Sequence, residues 1–284
     1  MSQKNQKVAV VTDGASSLTP AQGLEYGIHV APVYVNFSDK TYQAGVDLDA
    51  GEFYRLLRAS KQLPTTAQPT AQDFLRLYTD LAKQAEAIVT VVISHHMSAT
   101  LQSALAAQEQ FSEVPVHIID SESVSHGLGL QAIAAARAAA EGKSAQEVVQ
   151  LVEQIKKNLN VMFTVETLEY LHKGGRIGGA TAFLGSALSI KPILYIKDGR
   201  IEPLERQRTR KRSVARVLEL VEERAGSSVI HAAILHCDVP EEARELGEQV
   251  KARFHCTELI TVDAGPVIGT HAGPGTLGVA FYTL

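Results

Sequence analysis

The run Ile88-Val89-Thr90-Val91-Val92-Ile93 carries apolar or β-branched side chains at every position, and few folds can use such a segment. A strand half exposed to water alternates apolar with polar. One that is apolar throughout belongs at the centre of a parallel sheet covered by helices on both faces. The flanking sequence supplies those layers. Val8-Ala9-Val10-Val11 is another short apolar run and ends in the polar turn Thr12-Asp13-Gly14-Ala15-Ser16. Thr19-Pro20 opens a helix in the favoured order of cap and first turn. Ile28 to Phe37 reads as one strand, Gly51–Ser60 and Thr70–Gln84 as helices, Ser98 to Phe111 as the helix after the central strand, and Val114 to Ile119 as a strand. Helices follow at Gly127–Glu141 and Ala145–Lys157, divided by Gly142. This alternation predicts an α/β layered domain with a mostly parallel sheet over residues 1–158.

Beyond Asn158-Leu159-Asn160 the texture changes. A Gly-rich stretch, His172–Gly185, precedes two apolar runs, Ile193–Ile196 and Ile201–Leu204, joined by Asp198-Gly199. Asp-Gly between apolar runs is a strong hairpin signal. A helix from Arg212, a strand Val229–Leu235, a helix Glu241–Phe254 and strands around Leu259–Val262 and Gly278–Tyr282 complete a second α/β domain, 159–284, with a mixed sheet. Two domains also suit a chain of 284 residues. The ligand is expected between or within them, since clefts between domains are common binding sites.

Several function classes are excluded at this level. Lys and Arg number 27 against 31 Asp and Glu, a net charge of −4, so the whole-molecule field recruits neither nucleic acid nor an anionic membrane. No apolar run reaches the ~18–20 residues of a membrane helix, and Met1 to Lys7 lead straight into a strand rather than a signal sequence; the expectation is a soluble, cytoplasmic protein. Cys237 and Cys256 lack metal-ligand spacing and read as reduced thiols. Gly142-Lys143-Ser144 resembles the end of a phosphate-binding loop, but the glycine required upstream is Arg137; a helix-ending Gly and a capping Ser explain it. Gly127-x-Gly129-x-x-Ala132 has dinucleotide spacing without the second strand and its acidic end. His95-His96 are read as adjacent residues on an extended segment, pointing apart, with no carboxylate nearby in sequence.

What remains is a set of hydroxyls, glycines and basic residues at strand ends and helix starts. Thr70 with Asp73 caps a helix, leaving Thr65 and Thr66 uncommitted. Ser98 reads as the first cap of the next helix, where free N–H groups also suit a carboxylate or phosphate. Thr270 to Gly278 has the glycine density for close backbone approach to a ligand, or simply for a turn into the last strand. His172 to Gly178 is a basic loop. Arg206-Gln207-Arg208-Thr209-Arg210-Lys211-Arg212 has five positive charges and no interleaved aromatic; nucleic-acid or regulatory binding through 206–212 is the alternative reading, discriminated by a steep salt dependence of RNA binding.

Taken in order, these pieces resemble the DegV family of bacterial fatty-acid-binding proteins, which includes the lipid-carrying subunits of fatty-acid kinase. The resemblance covers nearly the whole chain. It runs through Thr12-Asp13, Thr65-Thr66-x-Gln68-Pro69, Ser94-x-x-x-Ser98-x-Thr100, Asp120-Ser121, Gly174-Gly175-Arg176, Lys191-Pro192 and His271-x-Gly273-x-Gly275. It implies a fatty acid with its tail in the N-terminal domain and its carboxylate held near the domain junction by Thr66 and Ser98. Thr65 is implied as a companion, His271 as a neighbour of the head group, and Gln68, Ala99 and Gly273 as support. Arg176, in an exposed loop, and Arg208, with Lys211, are implied as contacts to a partner or phosphate. Two departures bear on the head group: His95 stands where the family usually has Ser, and Ala99 where it has Gly. Gly14 replaces a Ser.

The resemblance therefore implies a non-catalytic carrier that takes a long-chain fatty acid as ligand, needs no cofactor or metal, and presents the carboxylate to an ATP-dependent fatty-acid kinase subunit for acyl-phosphate formation. No nucleic-acid partner is expected, and transient membrane contact is compatible with the role. Elementary energetics agree with a tail-driven site. Burying a methylene gains about 0.8 kcal/mol, so roughly fourteen gain on the order of 11 kcal/mol before ordering costs. A hydrogen bond to a carboxylate adds only about 1.5–3 kcal/mol. Leu101, Leu105, Val124 and Leu128 are candidates for the tunnel wall, with core packing as the ordinary role of each.

Overall fold

The structure is a computed structural model and describes residues 6–284, apart from the side chains of 186–189. The opening stretch Met1 to Lys7 lies outside the described residues except for Gln6 and Lys7, which begin the first strand.

In chain order the first half runs β1 (Gln6–Asp13), α1 (Pro20–Tyr26), β2 (Ile28–Ala31), β3 (Tyr34–Phe37), β4 (Lys40–Gln43) and α2 (Ala50–Ala59). It continues with β5 (Thr65–Ala67), α3 (Ala71–Ala82), β6 (Ala85–Val92), α4 (Thr100–Gln108), β7 (Val116–Asp120), α5 (His126–Ala140) and α6 (Ala145–Asn158). Strands β2-β1-β6-β7 form a parallel sheet, and β6 lies inside it as its composition demands, with Ile88, Val89, Val91 and Val92 fully buried. Helix starts follow local chemistry. Thr19 with Gln22, Thr70 with Asp73 and Ser144 with Glu147 each form a reciprocal capping box, worth about 1 kcal/mol per cap. Gly142 (φ +83°) and the Ser144 cap account for the Gly-Lys-Ser motif without a phosphate.

The expected single strand Ile28 to Phe37 is two strands, broken at Pro32-Val33. Proline has no N–H to continue the ladder. After the break β3 leaves the parallel sheet and pairs antiparallel with β4 and β5 in a small three-stranded sheet.

The second half comprises β8 (Asn160–Thr164), α7 (Glu169–Lys173), a 3-10 helix over Gly178–Ser189, β9 (Lys191–Lys197), β10 (Arg200–Gln207), α8 (Arg210–Ala225), β11 (Ile230–His236), α9 (Pro240–Arg253), β12 (Cys256–Asp263), α10 (Gly265–Ala272) and β13 (Leu277–Tyr282). Its mixed sheet has the order β10-β9-β8-β13-β11-β12, parallel only at β11–β12. The β9–β10 hairpin turns through Asp198 (φ +49°) and Gly199 (φ +73°), both in the left-handed region that an Asp-Gly turn supplies. The Gly-rich stretch is thus largely helical rather than an open loop. Likewise Thr270-His271-Ala272, read above as part of a glycine-dense turn, is the last turn of α10.

Helix α5 joins the halves. Twelve of its fifteen residues are buried, and it packs on β1 and β6 on one side and β11 and β13 on the other. Its glycines allow that proximity: a Cβ on Gly127 would collide with Ser123 and lie 2.7 Å from Val161 Cγ2. Close packing, rather than a dinucleotide, explains the Gly127-x-Gly129 spacing. A bidentate pair from Arg137 to Glu258 (2.7 and 2.6 Å) ties the end of α5 to β12.

Candidate functional site

The carboxyl ends of β1 and β6, the start of α4, strand β5, the inner face of the mixed sheet and α10 enclose a cavity of about 90 Å³, measured as room for the centre of a water-sized sphere. Its wall is mostly apolar and comes from both halves, with Ile93 and Val124 on one side and Phe163, Ile201 and Leu235 on the other. Of the tunnel candidates, Val124 lines it. Leu128 is buried in the general core, Leu101 packs in the core between α4 and the parallel sheet, and Leu105 is 41% exposed.

A cluster of polar side chains converges on this cavity: Thr66, Gln68, Ser98, Thr100, Arg176 and His271. Thr66 sits on β5, registered opposite Val35 of β3, so the small sheet that follows the Pro32 break is what carries it. His271 closes α10, and its Nε2 lies 2.9 Å from Thr66 Oγ1. Ser98 Oγ lies 2.8 Å from Thr100 Oγ1 and accepts the Thr100 N–H at 3.3 Å. The cap residue of α4 is Ala99 rather than Ser98 as expected, and Ser98, one position before it, still accepts the first helical N–H. Arg176 is half-buried. Its Nε donates to Met97 O (3.1 Å) and its Nη1 to Gly174 O (2.6 Å), which fixes the guanidinium against the Ser94–Ser98 segment.

His271 Nδ1 is buried with no hydrogen-bond partner among the described residues, and a Cβ added to Gly174 would stand 2.5 Å from it. The Nε2–H tautomer is the one that leaves no buried N–H unpaired. In it the ring donates to Thr66 Oγ1, and the Thr66 hydroxyl proton is left to point into the cavity. Burial, with Arg176 second, holds the His271 imidazole down to about 4. Burial also pushes the Asp13 carboxyl up to about 6, although it accepts the N–H groups of Ile93 and Ala15, each at 2.8 Å.

These two shifts act on stability with opposite sign. The folded chain holds fewer protons at His271 than the unfolded chain between about pH 4 and 6.5, so that contribution is present above this window and lost as pH falls through it. Asp13 keeps its proton up to about 6 when folded, so acidification below that value favours the native state through Asp13. Replacing His271→Gln is expected to reduce the loss of thermal stability between about pH 7 and pH 4.5, measured against the parent chain. Identical losses in both proteins would rule out this role for the imidazole.

Other sequence-selected residues lie elsewhere. Thr65 is exposed because neighbours on a strand face opposite ways, and Thr66 takes the inward side. Ala99 is exposed at the start of α4, and Gly273 shapes the chain after α10 without lining the cavity. Arg176 belongs to the cavity wall rather than to an exposed loop. Arg208 is exposed beyond β10, while its neighbours are engaged: Arg206 stacks over Phe183 at 4.5 Å and Arg210 pairs with Glu242 at 2.9 Å.

His95 and His96 do not point apart. The segment is a turn, the rings stand 3.7 Å apart, and His95 Nδ1 meets Asp120 Oδ2 at 2.5 Å. Asp120 is 25 positions away in sequence but lies at the end of the adjacent strand. Among the described residues no group of three or more His, Cys, Asp or Glu is placed to hold a metal ion. No described helix is long and apolar enough to cross a membrane. Asp13, Ser125 and Thr276 add polar atoms to the cavity wall that sequence reasoning does not select as site residues, although Asp13 and Thr276 lie in the Thr12-Asp13 and Thr270–Gly278 segments it singles out.

The family profile described as "Uncharacterised protein, DegV family" matches residues 7–284. A DegV domain-containing protein of Halalkalibacterium halodurans is 36% identical over 278 residues, covering 97% of this chain and 98% of the relative. Protein DegV of Bacillus subtilis is 35% identical over 276 residues, covering 96% and 98%. Among solved structures, a fatty-acid-binding DegV family protein from Thermus thermophilus superposes with a TM-score of 0.93 at 34% identity, covering 98% of this chain and all of that one. DegV of Bacillus subtilis, described as a fatty acid binding protein, superposes at 0.91 and 34% identity, covering 99% and 100%.

Proposed function

The chain belongs to the DegV family, and from that premise we propose that it carries a long-chain fatty acid, tail in the cavity and carboxylate at the Thr66, Ser98 and His271 cluster. The observation that carries this reading is the shape of the cavity chemistry. A wall of aliphatic and aromatic side chains meets hydroxyls, an imidazole and a guanidinium gathered together, and a fatty acid has the same polarity pattern. Thr66 donates to the carboxylate, His271 orients Thr66, and the start of α4 adds a partial positive charge behind Ser98. Residues 1–158 and 159–284 act as two domains in this reading, the first being the tail-holding one.

The chain acts in the cytoplasm as the substrate-presenting partner of an ATP-dependent kinase. A carboxylate oxygen attacks the γ-phosphorus of ATP, the bond to ADP breaks, and an acyl phosphate results. The partner supplies the nucleotide and metal clamps that such transfer needs. Arg176 beside the carboxylate offers a planar cation to the new phosphate, and exposed Arg208 offers one to the partner.

The test is to purify the protein under native conditions, extract it with organic solvent and identify bound lipid by mass spectrometry. A near-stoichiometric fatty acid is expected, and adding a fatty-acid kinase with ATP converts it to an acyl phosphate that hydroxylamine traps. An empty extract with no uptake on titration would remove the carrier reading; bound lipid that no kinase consumes would remove only the presentation step.

A further inference from the structure

A second concavity, an open groove of about 890 Å³ in the same measure, lies between α1 and β2, the loop from β4 to α2, and the β12–α10 junction. Leu24 and Val46, 87% and 65% exposed, stand on its rim. Two residues line both this groove and the inner cavity: Val33, in the break after Pro32, and Val267, in the first turn of α10. Consecutive residues Gly14 and Ala15 face the groove and the cavity respectively.

Resting on the fatty-acid reading above, we propose that Val267 and Val33, the latter seated against Gly14, form a partition that confines the acyl chain to the inner cavity and so limits which chains the carrier accepts. Both valines are nearly buried, 5% and 7% exposed, so each fills the space between the two hollows. Gly14 is what lets Val33 sit there. A Cβ on Gly14 would lie 3.2 Å from Val33 Cβ and 3.3 Å from its backbone nitrogen, tight enough to move the partition. With the partition in place, methylenes beyond the capacity of the cavity have no apolar surface to enter. Without it the groove extends the cavity, and each additional methylene buried favours the longer acid about fourfold.

The experiment exposes the parent chain and the Val33→Ala/Val267→Ala variant to an equimolar series of saturated fatty acids and reads the retained species by mass spectrometry. The ratio of eighteen- to sixteen-carbon acid is expected to rise by on the order of tenfold in the variant. A loaded variant with the parental profile would overturn the partition and leave the carrier function standing. A parent chain that retains no fatty acid would overturn the function and the partition with it. If the double variant loses its cooperative melt, Val267→Ala alone is read in the same way, and an unchanged profile there overturns the proposal.

Discussion

A chain carrying Thr66→Val together with Ser98→Ala is expected to remain folded and to bind a long-chain fatty acid roughly two to four orders of magnitude more weakly than the parent. In the proposed complex each hydroxyl contributes a hydrogen bond to a charged group, worth about 1.5–3 kcal/mol, and the variant would deprive the carboxylate of two. The valine keeps the volume of Thr66, so the packing of β5 against β3 is preserved while His271 Nε2 loses its acceptor. Besides this, Ser98 gives up its contacts to Thr100, the hydroxyl at 2.8 Å and the N–H at 3.3 Å, both local to the half-exposed start of α4. Displacement of a fluorescent fatty acid gives the affinity, and a thermal melt gives the fold. Parental affinity in this variant would mean that the carboxylate sits elsewhere.

The second large effect concerns stability. Gly273→Ala is expected to cost about 3 kcal/mol and to lower the melting temperature by roughly 5–10 °C. Gly273 has φ +77° and ψ +163°, a region essentially confined to glycine, and an added Cβ would enter the ring of Tyr170. Its N–H closes α10 on Gly269 O at 3.0 Å, and its carbonyl accepts from Thr276 Oγ1 at 2.9 Å, so no small shift relieves the collision. Gly142→Ala is the control. Gly142 has φ +83° with nothing within 4 Å of an added Cβ, so it reports the backbone strain alone, about 1 kcal/mol. Equal losses in the two variants would show that Tyr170 does not constrain the end of α10.

How much of this was legible depended on whether the cause was local. The apolar run 88–93 announced a central strand because burial on both faces leaves no position for a polar side chain. The three capping boxes were equally open to reading, since each is closed within four residues. Helix α10 was not. Its sequence of Gly, Pro and Thr has poor helix propensity, and its packing against α2 and α7 holds it. Nor could His95 be paired with Asp120 from sequence, because their meeting depends on the alignment of two strand ends. Apolar periodicity also gave no means of separating Val124, which faces a hollow, from Leu128 one turn on, which faces packed core. On the site itself, Thr66, Ser98, Arg176 and His271 come together around one cavity, while the strand alternation that turns Thr65 outward was readable in principle once β5 was known.

The contact between Thr66 and His271 spans 205 residues, and Ser94 Oγ reaches Gly199 O at 2.7 Å across 105. A site closed by such distant partners has no existence in a nascent or partly folded chain, because every closing loop must already be ordered before the two groups meet. A ligand of this site would therefore bind the finished native state alone and shift the folding equilibrium by mass action as its concentration rises. Under the carrier function proposed above, a cell short of fatty acid would withdraw that support, and the abundance of the protein would follow the supply of its ligand.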